Sequence, residues 1–305
     1  MLDAGEGSWS QMLAMGVDIA SIRGAWISHP HADHHLGLLR IIIERYKRNS
    51  HEKKSPFLVV APPSVVSLLE ELVAFESSLG GMFVALSCCQ FDVDSAPSNT
   101  SSGDYNSVNS ILLTLGIQSL NCCKVDHCLE AFAVRLNLAS GLSVVYSGDT
   151  RPCERLVKLG TAATILLHEA TFGDEKKDEA IEKRHSTVGE AIDISRRCGA
   201  HRTILTHYSQ RYPSFPPLTE DQLRSVTLSF DFMRVRFKDL VWSHHLTPVL
   251  VAAFPPEEES DEVSGALDEI ADSARKKVGA FVNSRRCIKE TEGILSKRKK
   301  SDSMM

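Results

Sequence analysis

The sequence contains no run of about 18 consecutive apolar residues, the length that a membrane-crossing helix needs, and so offers no such span. Its opening, MLDAGEGSWS, has neither the basic nor the apolar segment of an export signal. Basic charge is not in excess either. The formal net charge is −5, so a polyanionic substrate would have to be held by a local basic patch or by bound cations. Cysteine is present at eight positions, but none forms a CxxC pair and the chain is not a short secreted framework. The expectation is reduced thiols, no membrane association and an intracellular setting, nucleus or cytoplasm, with the mitochondrion open if a targeting segment is missing.

Hydrophobic residues make up 43% of the 305, enough to bury a substantial core. Short apolar runs alternate with helical patterns. Strands are expected at Gly24 to Ser28, Phe57 to Ala61, Ile111 to Leu115, Ala131 to Leu138, Leu142 to Tyr146, Thr164 to Leu167 and Thr203 to Thr206. Helices are expected at Leu36 to Arg48, Ser64 to Ser78, Pro152 to Leu159 and Thr187 to Arg197. Such mixing indicates a layered α/β domain. Residues 95–109, SAPSNTSSGDYNSVN, read as an exposed loop. The expected catalytic domain covers 1–254. Residues 255–305 read as an acidic linker, a helical segment through Val263, Leu267, Ile270, Ala274, Val278 and Phe281, and a basic tail, KRKK.

The chemistry concentrates in SHPHADHHLGL, residues 28–38. Side chains alternate along a strand, so His29 and His31 at a strand end face the same way, while Asp33 and His34 begin a helix and can turn back toward them. Imidazole and carboxylate are the ligands that zinc and related ions take. His35 has no assigned role. One turn cannot fill two metal sites. Three further candidates, His127, Asp149 and His207, each stand where an apolar run meets a loop. Singly, each has an ordinary structural reading. Taken with HPHADH, they form the convergence that a dinuclear site requires, and a carboxylate such as Asp149 can bridge two ions.

This series, HxHxDH followed by a His, an Asp and a His, resembles the metallo-β-lactamase superfamily. LLHEATF, RHSTVGEA, SGDTRPC, LTHYSQRY and LDAGEGS narrow the resemblance to ribonuclease Z, the transfer-RNA 3′-processing endonuclease, and to the C-terminal half of its long eukaryotic form. The resemblance implies a four-layer αββα sandwich, here expected to lack its N-terminal strands, and two Zn²⁺, with Mn²⁺ or another divalent ion as a substitute. It implies that His29, His31, His127 and Asp149 hold one ion and Asp33, His34, Asp149 and His207 the other. Asp33 would also take a proton from the attacking water. Glu169 and His185 would protonate the leaving 3′-oxygen, and Asp3 would orient a ligand histidine. Ala4 stands where the family usually has cysteine.

The local sequence agrees with a fixed place for His185, since Thr187 and Glu190 have capping-box spacing. The implied substrate is precursor tRNA. The implied partner is a second copy or a separate N-terminal half. An inactive metal-binding module and another hydrolase of the same fold are the alternatives.

Overall fold

Phe57–Ala61 reads FLVVA and is buried at every position, the pattern of a strand covered on both faces. In the computed structural model, which describes residues 1–49, 56–94, 110–212 and 215–254, this strand, β2, is the centre of a three-stranded parallel sheet. Its neighbours are β1 (Gly24–Trp26) and β3 (Phe83–Ser87). The second sheet has six strands in sequence order: β4 (Ile117–Lys124), β5 (Phe132–Leu138), β6 (Ser143–Tyr146), β7 (Ile165–Glu169), β8 (Arg202–Thr206) and β9 (Thr227–Leu228). Pairing is antiparallel from β4 to β6 and parallel from β6 to β9.

The alternation of side chains sorts the core into layers. Leu58 and Val60 point inward with Trp26 and meet Leu120, Cys122, Phe132 and Val134 of the second sheet. Phe57, Val59 and Ala61 point outward and pack against two helices, α3 (Leu38–Arg48) through Leu38, Ile41 and Ile42, and α4 (Pro63–Phe75) through Val65 and Leu69. On the far side, Cys123, Ala133, Val145 and Leu166 pack against helices Glu154–Leu159 and Val188–Cys198. Helix, sheet, sheet, helix is the four-layer sandwich. Each buried Leu, Ile or Phe contributes about 1.5–3 kcal/mol of transfer free energy to it.

One expected strand is wrong. Residues 111–114 are helical, and the strand begins after Gly116, at Ile117. Gly116 has φ +71°, the left-handed conformation that ends a helix. The run ILLTL was read as a strand because short apolar runs do not declare their period. β3, β4 and β9 were not expected, nor were helix α1 (Ser8–Ala14) and helix Lys177–Lys183. The expected loop at 95–109 and the segment 255–305 lie outside the described residues.

Candidate metal centre

β1 ends at Trp26 and delivers Ser28, His29 and His31 to the rim shared by the two sheets. A single helical turn, α2 (Ala32–His35), follows with His31 as its N-cap, and it swings His34 back toward His29. The second sheet supplies the rest from consecutive strand ends: His127 after β4, Asp149 after β6, Glu169 as the last residue of β7 and His207 after β8.

These residues converge on one buried carboxylate. Asp149 Oδ2 lies 3.3 Å from His34 Nε2, 3.5 Å from His207 Nε2, 3.6 Å from His29 Nε2 and 3.9 Å from His127 Nε2. On one side His31 Nδ1 sits 3.0 Å from His29 Nε2 and 3.1 Å from His127 Nε2. On the other, Asp33, His34 and His207 place ligand atoms within 4.8 Å of one another. The residues of both expected sets thus lie close together, with Asp149 among them. His35 instead faces the Pro30 carbonyl, 3.1 Å away.

The orientation of the rings gives the donor chemistry. His127 Nδ1 donates to the Arg184 carbonyl at 2.8 Å, and His34 Nδ1 donates to Asp3 Oδ2 at 2.7 Å. Each ring thus turns the lone pair of Nε2 into the cluster, where nitrogen faces nitrogen and Asp149 Oδ1 is buried without a hydrogen-bond partner. Ring nitrogens 3.0–3.1 Å apart beside a buried carboxylate oxygen without a hydrogen-bond partner form a donor set that fits divalent metal ions.

Electrostatics follow the same logic. Burial pushes His29 down to about 2, which favours its neutral form. Burial also opposes charge on His34, yet hydrogen bonds to Asp149 and Asp3 raise it to about 10; carboxylates that favour a proton there favour a cation in its place. Burial works against the charge of Asp149 too, but His34 and the surrounding imidazoles hold it below the ordinary carboxylate range.

Asp3 is the hub behind β1. It accepts from Ser28 N (2.7 Å), Ser28 Oγ (2.8 Å), His34 Nδ1 and Tyr146 OH (2.7 Å). Glu169 is its counterpart beneath β7, fully buried, accepting from Thr150 N, Thr171 N, Thr171 Oγ1 and His185 Nδ1, the last at 3.0 Å. His185 Nδ1 is also 3.9 Å from Asp149 Oδ2, but Glu169 and Thr171 already engage that nitrogen. Burial disfavours the imidazolium of His185, and the Glu169 carboxylate overcomes it, raising the pKa.

The capping box is present as spaced: Thr187 caps Val188–Cys198 and Glu190 returns to the Thr187 N–H. Arg151 braces it with a bidentate pair to Glu190 and a 2.6 Å hydrogen bond to the His185 carbonyl. Ser28, Tyr146, Thr171 and Arg151 are residues that sequence reasoning missed, because a hydroxyl or guanidinium within an ordinary strand end carries no spacing signal. Beside the cluster lies an open cleft of about 590 Å³ lined by Asp33, His34, His207, Tyr146, Glu6 and Gln11 among others. Asp33, 71% exposed, reaches into it.

A family model described as anti-Pycsar protein Apyc1 matches residues 1–227. The chain belongs to that family. This Apyc1-family chain is 36% identical over 262 residues to zinc phosphodiesterase ELAC protein 2 of Macaca fascicularis, an alignment covering 83% of the chain and 31% of the relative. It superposes on a long-form RNase Z from yeast with a TM-score of 0.74 at 29% identity, covering 83% of this chain and 38% of that one. The metallo-β-lactamase fold protein YhfI from Bacillus subtilis matches with a TM-score of 0.54 at 15% identity, over 75% and 84% of the two chains, which bears on the fold alone. The resemblance to ribonuclease Z and the metallo-β-lactamase fold thus hold. The chain spans about a third of the length of the curated relatives it matches.

Proposed function

We propose that this chain is the catalytic part of a zinc-dependent endoribonuclease that removes the 3′ trailer from precursor tRNA and leaves a 3′-hydroxyl on the tRNA. The observation that carries the reading is the convergence of four imidazoles, those of His29, His34, His127 and His207, on Asp149 with the Glu169–His185 pair beside them. The names of the relatives, a zinc phosphodiesterase and an RNase Z, support it.

His29, His31, His127 and Asp149 would hold one ion, and Asp33, His34, Asp149 and His207 the other. When bound, a pair of divalent ions supplies an acidified water and neutralises charge on a phosphodiester. Asp33, exposed in the cleft, takes the proton of the attacking water. His185, whose pKa Glu169 raises, lies on the same cluster and gives a proton to the leaving 3′-oxygen, which would otherwise depart as an alkoxide. Burial of Glu169 keeps bulk water away from its contact with His185.

Among the described residues no helix is long and apolar enough to cross a membrane. Precursor tRNA is the proposed substrate, and a second copy or a separate N-terminal half is the proposed partner in gripping it.

The test is cleavage of a 3′-extended precursor tRNA by the purified chain with zinc or manganese, alongside Asp33→Ala and a metal count. Cleavage at the trailer junction, lost in Asp33→Ala, is expected. Two bound ions with hydrolysis of bis(p-nitrophenyl) phosphate but no RNA cleavage would instead make the chain a phosphodiesterase of another substrate class.

A further inference from the structure

Two hydroxyls in the site form the same motif. Ser28 Oγ donates to Asp3 Oδ2 at 2.8 Å, so the lone pair it has left faces His29 Nδ1 at 2.9 Å and takes that N–H. Thr171 Oγ1 donates to Glu169 Oε2 at 2.7 Å and stands 2.9 Å from His207 Nδ1, taking that N–H in the same way. A carboxylate only accepts, so the direction of each chain is fixed: imidazole N–H to hydroxyl, hydroxyl to carboxylate. Both rings are thereby set in the Nδ1–H tautomer, with the Nε2 lone pair turned to Asp149.

We infer that Ser28 and Thr171 are positioning residues, each relaying a buried carboxylate to one histidine in each half of the metal centre. The inference rests on the metal-binding reading proposed above. Three observations single these hydroxyls out. Ser28 and Thr171 are buried, so water does not replace them. Each carboxylate also holds another imidazole directly, Asp3 that of His34 and Glu169 that of His185, so the hydroxyl links the carboxylate to a further ring. Two of the residues concerned, Asp3 and His207, adopt φ of +54° and +62°, a left-handed backbone that is costly for residues other than glycine and that the hydrogen bonds hold in place. Tyr146 OH, 2.7 Å from Asp3 Oδ2, supplies a further donor to the first hub.

The experiment is zinc titration of the metal-stripped full chain against a chromophoric chelator, with histidine tautomers read by long-range ¹⁵N–¹H NMR. Wild type is expected to bind two ions. Ser28→Ala and the isosteric Thr171→Val should each weaken one ion by about 10- to 100-fold, the range typical of lost partners behind a ligand histidine. Thr171→Ser, which keeps the hydroxyl, should restore affinity, and the His29 and His207 resonances should lose the Nδ1–H signature only in Ser28→Ala and Thr171→Val respectively. Wild-type affinities and tautomers in both variants would overturn the inference while leaving the metal centre standing. No zinc uptake by the wild type would overturn both.

Discussion

Asp33 and His185 border the same cluster, one 71% and the other 15% exposed, and their surroundings suit them to different work. Asp33→Ala should abolish precursor cleavage, since it removes a ligand and the group that receives a proton; near-normal turnover in a gel-based assay would refute the role. His185→Ala should keep its metal content while slowing RNA cleavage by about 10²- to 10⁴-fold. Hydrolysis of bis(p-nitrophenyl) phosphate should fall far less, because p-nitrophenolate leaves without a proton. Glu169 raises the pKa of His185, so the acid form persists to higher pH than for a free imidazole, and activity is lost as pH rises through that pKa. Glu169→Gln withdraws this support and should move the falling limb of the pH–rate profile to lower pH. An unmoved limb would mean that another group donates the proton.

At the scale of elements, two loops are pressed together. A Cβ on Gly5 would lie 2.1 Å from the Asp33 carbonyl oxygen, and one on Gly37 would lie 2.1 Å from the Gly5 carbonyl oxygen. Ala4 N donates to the His34 carbonyl and Gly37 N to the Ala4 carbonyl, closing the contact. The Asp3 loop therefore sets the height of α2 and its ligands. Gly5→Ala should destabilise the fold by about 1–3 kcal/mol, as overpacking does, and reduce metal occupancy; a normal unfolding midpoint with full occupancy would show that the approach is not needed. A similar brace runs through Arg151, which joins the strand end carrying Asp149 to the capped helix that follows His185.

At the scale of the whole molecule, the cluster lies where the two sheets meet. His29, His31, Asp33 and His34 follow a strand of the first sheet, while His127, Asp149 and His207 follow strands of the second. An ion bound across that seam favours the folded state, by about 2.7 kcal/mol at a free concentration a hundredfold above its Kd. Stripping the metal with a chelator should lower the unfolding midpoint in calorimetry, and readding zinc should restore it. Away from the seam, Ile41→Ala in the outer helix layer should cost about 2–5 kcal/mol without changing the metal count.

The clustering of these imidazoles and carboxylates was legible in the sequence because the spacing HxHxDH has few other uses, and the motifs around it narrowed the family. Strands such as β2 and β5 were legible because runs of apolar, β-branched and aromatic residues bounded by polar turns suit little else. β3, with Val84 exposed and the other residues half-buried, and the two-residue β9 were not, since an edge strand need not show an apolar run. The helix at 111–114 was misread because so short an apolar run fits either period. What only the tertiary structure decided is which atoms meet: that Asp149 is the common centre, that Ser28 and Thr171 lie between carboxylate and imidazole, and that Arg151 braces His185. Most of these contacts join residues far apart in sequence, up to 120 positions for His29 and Asp149, and hydrogen-bond direction across such gaps is fixed by packed sheets rather than by any local pattern.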